Sequence, residues 1–262
     1  MKMYKNLSYE KIKEGIGLLT INRKKVLNVM DLDTVKELQK FINEQLPNED
    51  INVLIITGQG SKAFVAGADI KQMSEMSREE FRNYCDISHG NFISLQNLKI
   101  PVIAAINGYA LGGGCELAVA CDMRIASENV KIGFPETKLG LFPCWGGSQR
   151  SSRLLGLGKV KELIFTGEMI SAEEALKIGL VDKVVKQAEL MSEVLSMAEK
   201  IASNSPLAIG FAKYAINRGS EMNLNDSLEM ELDLGVDCFD SQDRLEGMSA
   251  FLEKRTPDFT GK

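Results

Sequence analysis

An apolar run that ends in three consecutive glycines places the strongest single constraint on the fold of this chain. Residues 100–111 read IPVIAAINGYAL, and the glycines at 112–114 separate this run from a second apolar run, CELAVAC. The first run predicts a buried strand that ends near Asn107, and the glycines predict a turn into a helix that begins near Cys115. Glycines at a helix start cost conformational entropy, which favours a site where backbone N–H groups approach a ligand without Cβ atoms in the way.

The apolar patterns divide the chain into two parts. Up to residue 186, runs with strand character alternate with helical patterns, which is typical of an α/β fold. The predicted strands are 17–21, 52–57, 102–106, 123–126 and 181–185, and the clearest helical patterns are 33–46 and 78–98. From residue 187 onward the strand signals cease, and helices are predicted at 190–203, 206–218, 224–239 and 241–254. We therefore expect a core over residues 1–186 that carries any active site, followed by a helical region over residues 187–262.

Composition and charge exclude several classes of protein. The chain has 262 residues, of which 44% are hydrophobic and 26% are charged, close to the values of an ordinary folded protein. A net charge of -5 without any run rich in Lys or Arg argues against binding to nucleic acid. The longest apolar stretches are far shorter than the ~20 residues needed to cross a bilayer. The N-terminus lacks the apolar core of a signal peptide and the acid-poor composition of a transit peptide, so we expect a cytoplasmic protein without membrane association.

The chain has few residues of the types that commonly bind metals or cofactors. The five cysteines form an odd set without a C-x-x-C pair, which suits reduced thiols, and we interpret them as packing residues. His89 is the single histidine, so a His-rich metal site is excluded and no metal is predicted. Ser88 and His89 stand beside Asp86, but neighbours in sequence do not make a catalytic triad, and His89 is interpreted as a helix-face residue. Motifs for nucleotide phosphates and for dinucleotides are absent.

Two glutamates are the strongest candidates for chemistry. Glu116 falls in the first turn of the predicted apolar helix, where it could stabilise free N–H groups or act in proton transfer from a partly apolar cleft. Glu136 follows Pro135, so it too could be a first-turn stabiliser of a helix. The two cannot share one helix, but the strand predicted at 123–126 could bring both to one end of a sheet. Two carboxyl groups that face one pocket are a standard arrangement for acid and base catalysis.

The chain resembles the crotonase (enoyl-CoA hydratase/isomerase) superfamily from end to end. A third segment, AGADI at 66–70, would by itself be a loop before a helix N-cap or a source of a backbone N–H donor. The resemblance rests on this segment together with NGYALGGGCELA at 107–118, FPETKLGL at 134–141 and GGSQR at 146–150, in the family's order and spacing. INR at 21–23 and FLEKR at 251–255 resemble the family's terminal signatures.

The resemblance implies a fold, a reaction and an assembly. The fold is a crotonase-like spiral of ββα turns with an all-helical C-terminal region, which builds homotrimers that pair into homohexamers. The reaction is reversible syn-hydration of a short-chain trans-2-enoyl-CoA to the (S)-3-hydroxyacyl-CoA, as used in fatty-acid β-oxidation. The coenzyme A thioester is the substrate, and no separate cofactor is implied.

The resemblance also implies a role for each site residue. Backbone N–H groups of Ala68 and Gly113 form an oxyanion hole for the thioester enolate. Glu116 orients and deprotonates the water that attacks C3, while Glu136 holds that water and protonates C2. The adenine and phosphates of the coenzyme are assigned to Lys25, Ala66, Asp69, Ile70 and Lys71, and the acyl pocket to Cys144 and Trp145.

Two departures from the family pattern and two alternative functions remain open at this stage. Lys24 replaces a proline of the first signature, which affects the expected coenzyme loop. Cys144 replaces the glycine of a Pro-Gly pair and Trp145 follows it, so we expect a narrowed pocket that prefers short acyl chains, although a lone Trp is commonly a core residue. The alternatives are an enoyl-CoA isomerase, which needs one carboxylate, and a non-catalytic CoA-binding or scaffold protein, which needs neither.

Overall fold

The computed structural model describes residues 4–262, which form ten strands and eleven α-helices in two sheets and their surrounding layers. The strands are β1 (Leu7–Lys13), β2 (Gly15–Ile21), β3 (Ile51–Gly58), β4 (Ala63–Val65), β5 (Val102–Ile106), β6 (Tyr109–Leu111), β7 (Met123–Ser127), β8 (Lys131–Gly133), β9 (Met169–Ser171) and β10 (Lys183–Val185). The helices are α1 (Leu32–Lys40), α2 (Ile70–Met73), α3 (Arg78–Gln96), α4 (Gly113–Ala120), α5 (Gly147–Leu155), α6 (Leu157–Thr166), α7 (Ala172–Lys177), α8 (Leu190–Ala202), α9 (Pro206–Gly219), α10 (Leu224–Phe239) and α11 (Gln242–Glu253).

From β3 to β8 the strands repeat in pairs, and the two members of each pair enter different sheets. The larger sheet has the order β1-β2-β3-β5-β7-β10, and the smaller has the order β4-β6-β8-β9. Thus β3, β5 and β7 pair in parallel in the larger sheet, while β4, β6 and β8 pair in parallel in the smaller one. Helices follow β4 and β6 before the chain returns to the larger sheet, whereas after β8 the chain passes through α5, α6, β9 and α7 before it reaches β10. This repeat confirms the predicted α/β spiral of ββα turns with a helical C-terminal region.

The central parallel strands of the larger sheet are buried on both faces, as expected for parallel strands. Alternate residues of β3 belong to different apolar clusters, with Leu54 and Ile56 on one face and Val53 and Ile55 on the other. The second face is covered by α8 through Leu190, Val194 and Ala198, all buried. The first helix after residue 187 is therefore a layer of the core, while α9 to α11 follow it.

The main elements match the sequence patterns, with differences at their ends. The helix predicted over 33–46 is regular only to Lys40 and continues as a π-helical turn over Phe41–Gln45 and a 3-10 turn. The strand predicted over 181–185 begins later, at Lys183, because Asp182 lies in a turn where its carboxylate accepts the Arg124 backbone N–H at 2.7 Å. The patterns did not single out β1 or the three-residue strands of the smaller sheet, which are too short for a periodic signal.

The C-terminal helices begin where their capping residues predict. Ser205 caps α9 by accepting the Ala208 N–H at 3.1 Å, with Pro206 in the first turn. A partly buried ion pair between Lys213 and Asp122, 2.7 Å long, ties α9 to the core. Several large apolar side chains of α9 to α11 remain exposed: Ile216, Leu224, Leu232, Phe251 and Leu252. Over residues 4–262, no helix has both the length and the apolar character needed to cross a membrane.

Candidate active site

Each of the three glycines at the start of α4 meets a separate steric demand. Gly112 has φ 51° and ψ −121°, a backbone conformation that residues with a side chain rarely adopt. A Cβ at Gly113 would lie 2.5 Å from the Trp145 ring, and a Cβ at Gly114 would lie 1.9 Å from the Val65 carbonyl oxygen. The sequence predicts that these glycines make room for a ligand. However, packing of α4 against β4 and against the Trp145 ring already requires glycine at positions 113 and 114.

Two backbone N–H groups border the cleft without a protein acceptor. Within residues 4–262, neither the Ala68 nor the Gly113 amide donates to another protein group. The segment around Ala68 is held in place by Met30, whose N–H donates to the Gly67 carbonyl at 2.9 Å and whose carbonyl accepts from Asp69 at 3.1 Å. Both amides lie among the residues that line one cavity, as an oxyanion hole requires.

The Glu116 carboxylate is buried and bound to the start of another helix. Its Oε1 accepts the backbone N–H of Trp145 at 2.7 Å and of Gly147 at 2.8 Å, where α5 begins. The residue is 2% exposed. Glu116 therefore stabilises free N–H groups, as one of the two interpretations predicts. These groups lie at the start of α5 rather than in its own helix. The same contacts orient its carboxyl group toward the cleft.

Glu136 lies across the cleft in a 3-10 turn, Pro135–Leu139, rather than in an α-helix. Its Oε1 lies close to Gly112, because a Cβ added to Gly112 would be 3.0 Å from this oxygen. Its Oε2 is buried and has no hydrogen-bond partner among the described residues. A buried carboxylate oxygen without a protein donor is costly, and it is therefore a candidate to bind a substrate or a water molecule.

Burial raises the pKa of both carboxyl groups toward neutrality. Burial raises the pKa of Glu116 to about 8; the nearby charge of Glu136 adds to this, and the two backbone N–H donors oppose it. Burial likewise raises the pKa of Glu136 to about 7, opposed by its own backbone N–H. Near neutral pH such a pair holds about one proton, which supplies an acid and a base at one site.

The cavity between the two glutamates is small and mostly apolar. Its volume is about 130 Å³. A cavity of about 150 Å³ can hold benzene, so this one suits an acyl group of roughly four to six carbons. The predicted pocket residues Cys144 and Trp145 both line it. Trp145 is also a core residue, with its ring edge-on to Tyr84 and Phe92, so it packs in the core and lines the cavity at the same time, and its role in an acyl pocket stays a prediction.

The residues assigned to the coenzyme are not all brought together. Ala66 and Ile70 line the cavity, whereas Lys25 and Lys71 are exposed outside it. Asp69 caps α2 by accepting the Gln72 N–H at 3.2 Å, and its carboxylate is 3.5 Å from Arg23. Asp69 therefore stabilises the start of α2, and its assignment to the coenzyme stays a prediction.

Lys24, the departure from the first signature, begins a 3-10 turn that spans Lys24–Val26. The first position of a helical turn accepts proline because its N–H needs no intrahelical partner, so the exchange removes no hydrogen bond of the turn. The Lys24 side chain lies along Gly60, where a Cβ would come within 3.0 Å of it. The turn is therefore compatible with either residue.

Sequence reasoning missed most of the apolar wall of the cavity. The additional lining side chains are Met73, Phe81, Leu111, Leu139, Leu141 and Phe142. They come from four separate segments, and no single pattern links them. Leu139, Leu141 and Phe142 follow Glu136 directly, so their proximity to that carboxylate was the one available signal. Among the described residues, no cluster of His, Cys, Asp or Glu could hold a metal ion.

The fold is that of the crotonases, and its cleft brings two carboxyl groups with raised pKa values beside two backbone N–H donors. The enoyl-CoA hydratase/isomerase family model matches residues 11–262, and the chain belongs to this family.

Relatives and solved structures agree with this assignment. A short-chain-enoyl-CoA hydratase of Clostridium acetobutylicum is 48% identical over 93% of the chain and 94% of its own length. A crotonyl-CoA hydratase of Syntrophomonas wolfei is 44% identical over 99% of both chains. The crystal structure of an enoyl-CoA hydratase from Bacillus anthracis, 43% identical, superposes with a TM-score of 0.96 over 98% of this chain and 100% of its own.

Proposed function

We propose that the protein catalyses the reversible hydration of short-chain trans-2-enoyl-CoA to (S)-3-hydroxyacyl-CoA. The observation that carries the proposal is the pair of carboxyl groups, Glu116 and Glu136, whose pKa values burial raises to about 8 and about 7 at one small cavity. An isomerase needs one such group, and a binding protein needs none. The names and the identity of the relatives support the same reaction.

The amides and the carboxyl groups would act at opposite ends of the reacting unit. Ala68 and Gly113 donate to the thioester oxygen, which stabilises the enolate by about 10²–10³ in rate per donor. Glu116 takes a proton from the water that attacks C3, and Glu136 delivers a proton to C2. In the free protein the shared proton favours Glu116, which has the higher pKa. The two N–H donors on Glu116 Oε1 reduce this preference without reversing it, so the reaction proceeds from the less populated form in which Glu116 is ionised and Glu136 carries the proton.

The coenzyme would extend from the cavity toward the exposed lysines. Its phosphates need local positive charge in a chain of net charge -5, and Lys24, Lys25 and Lys71 are exposed near the segments that border the cavity. We place the protein in the cytoplasm. The reaction requires only the coenzyme A thioester and water.

The decisive assay follows the loss of enoyl absorbance when the purified protein acts on crotonyl-CoA. We expect (S)-3-hydroxybutyryl-CoA as product, an unchanged rate after treatment with a chelator, and lower efficiency on dodecenoyl-CoA because the cavity holds a short chain. Faster conversion of 3-enoyl-CoA than hydration of 2-enoyl-CoA would favour the isomerase. Binding without turnover would favour the scaffold.

The raised pKa values predict a bell-shaped pH dependence of kcat/KM. Below about pH 7 both glutamates carry a proton and no base remains, and above about pH 8 both are ionised and no acid remains. The maximum should therefore lie between these values, with each limb falling about tenfold per pH unit. Initial rates in overlapping buffers test this. A profile that is flat from about pH 5 to about pH 10 would contradict the shared-proton pair.

The exposed apolar side chains of α9 to α11 lead us to propose a homotrimer or a homohexamer. Phe251 and Leu252 are 83% and 80% exposed, and clustered apolar side chains of this kind mark protein interfaces. Sedimentation equilibrium should give a mass of three or six chains. A single species of 28.9 kDa would contradict the assembly.

A further inference from the structure

Two of the five cysteines lie close together beside the active site. Cys85 is on α3 and Cys144 is in the loop that leads to α5, and their Sγ atoms are 3.7 Å apart. Both side chains are half-buried, so small reagents can reach them. A disulfide bond is about 2.05 Å long, so the sulfurs need to approach by less than about 2 Å. The interpretation of all five cysteines as packing residues therefore leaves this pair unexplained.

Within residues 4–262, no other cysteine combines a half-buried side chain with a thiol hydrogen-bonded to it. Cys115 and Cys121 are buried, and burial raises the pKa of each thiol. Cys238 lies on α10, outside the core. By contrast, the side-chain hydrogen bond with Cys144, together with the Trp145 side chain and Arg82, lowers the pKa of Cys85 to about 7 against the effects of burial and of Asp86. Cys85 is therefore the thiol best able to react as a thiolate near neutral pH.

The loop that carries Cys144 also holds the catalytic geometry. Cys144 lines the cavity, and the next residue, Trp145, donates its N–H to Glu116 Oε1. A bond from Cys144 to Cys85 would pull this loop toward α3. Such a shift would move the Trp145 amide relative to the Glu116 carboxylate and change the wall of the cavity.

We propose that Cys85 and Cys144 form a reversible dithiol–disulfide pair that is oxidised by peroxides and inactivates the adjacent site. The Cys85 thiolate attacks one oxygen of hydrogen peroxide, the O–O bond breaks, and the departing hydroxide is protonated to water. Cys144 then attacks the resulting sulfenic sulfur, the S–O bond breaks, and the thiol proton leaves with the oxygen as a second water. Two electrons pass from the two sulfurs to the peroxide. An external dithiol reverses the reaction by thiol–disulfide exchange.

The test treats the reduced full-length protein with hydrogen peroxide and measures thiols, linked peptides and activity in parallel. We expect the loss of two thiols per chain and a peptide pair joined through Cys85 and Cys144. Because a displacement of about 1 Å in a catalytic group can cost about 10² in rate, the linked fraction should hydrate crotonyl-CoA about 10²-fold more slowly. Dithiothreitol should restore the rate.

Two serine variants serve as controls. Cys85→Ser should keep the activity of the reduced protein and resist peroxide, whereas Cys238→Ser should behave as the unchanged chain does. Equal inactivation of Cys85→Ser, a linked protein with full activity, or oxidation without this linked peptide would each overturn the proposal. The activity readout rests on the proposed hydratase function, but the linked peptide does not, so failure of either proposal is recognised separately.

Discussion

Replacement of Glu116 or Glu136 by glutamine is expected to lower the rate of crotonyl-CoA hydration about 10²–10⁴-fold. Glutamine keeps the size of the side chain and can still accept the N–H groups of Trp145 and Gly147, but it cannot exchange a proton at neutral pH. The binding of the coenzyme should change little, because neither carboxyl group is assigned to it. Steady-state kinetics on each variant measures the loss, and Glu173→Gln, at an exposed position on α7, is the matched control.

The double variant and the residual pH dependence distinguish the roles of the two residues. If both act on one water, the double variant should be much less impaired than the product of the single losses predicts. In Glu136→Gln the remaining activity should rise with pH if Glu116 is the base, and fall with pH if Glu116 is the acid. Near-normal hydration by either single variant would refute the two-carboxylate mechanism, and one essential with one silent glutamate would indicate an isomerase.

Gly147→Ala is expected to reduce hydration about 10²-fold without removing any functional group. A Cβ at this position would lie 2.8 Å from Glu116 Cγ and 2.8 Å from the Phe134 ring, so the Glu116 side chain would have to shift. The Gly147 N–H would remain, but the carboxylate that accepts it would be displaced from the cavity. The loss should appear mainly in kcat, since the substrate still binds while the reacting geometry is altered.

Gly158→Ala is the matched control for this substitution. Gly158 lies in α6, and a Cβ there would meet no atom within 4 Å. In a helix the added methyl group should stabilise the fold slightly, by about 0.5–1 kcal/mol, and leave the rate unchanged. Thermal unfolding checks that Gly147→Ala remains folded. If the folded Gly147→Ala variant hydrated crotonyl-CoA at the normal rate, the contact between α5 and Glu116 would not position the catalytic group.

Local patterns in the sequence were sufficient to predict the main elements of the fold. The buried strands β3 and β5 and the C-terminal helices have apolar periodicities and capping residues that act within a few positions of the chain. The short strands β4, β6 and β8 have three residues each and exist because neighbouring strands supply their hydrogen bonds. Their formation depends on contacts between distant segments, which no local pattern records.

The sequence by itself determined the family, the pair of glutamates and the glycines at the start of α4, because these are features of residue type and order. Only the tertiary structure decided that the Glu116 carboxylate accepts the N–H of Trp145, 29 residues further along the chain, just before α5. It also decided that burial raises the pKa values of both carboxyl groups into the neutral range. It also brought Cys85 to Cys144 across 59 residues. Burial and such contacts depend on how the ββα turns stack, and stacking is a property of the whole chain rather than of any one segment.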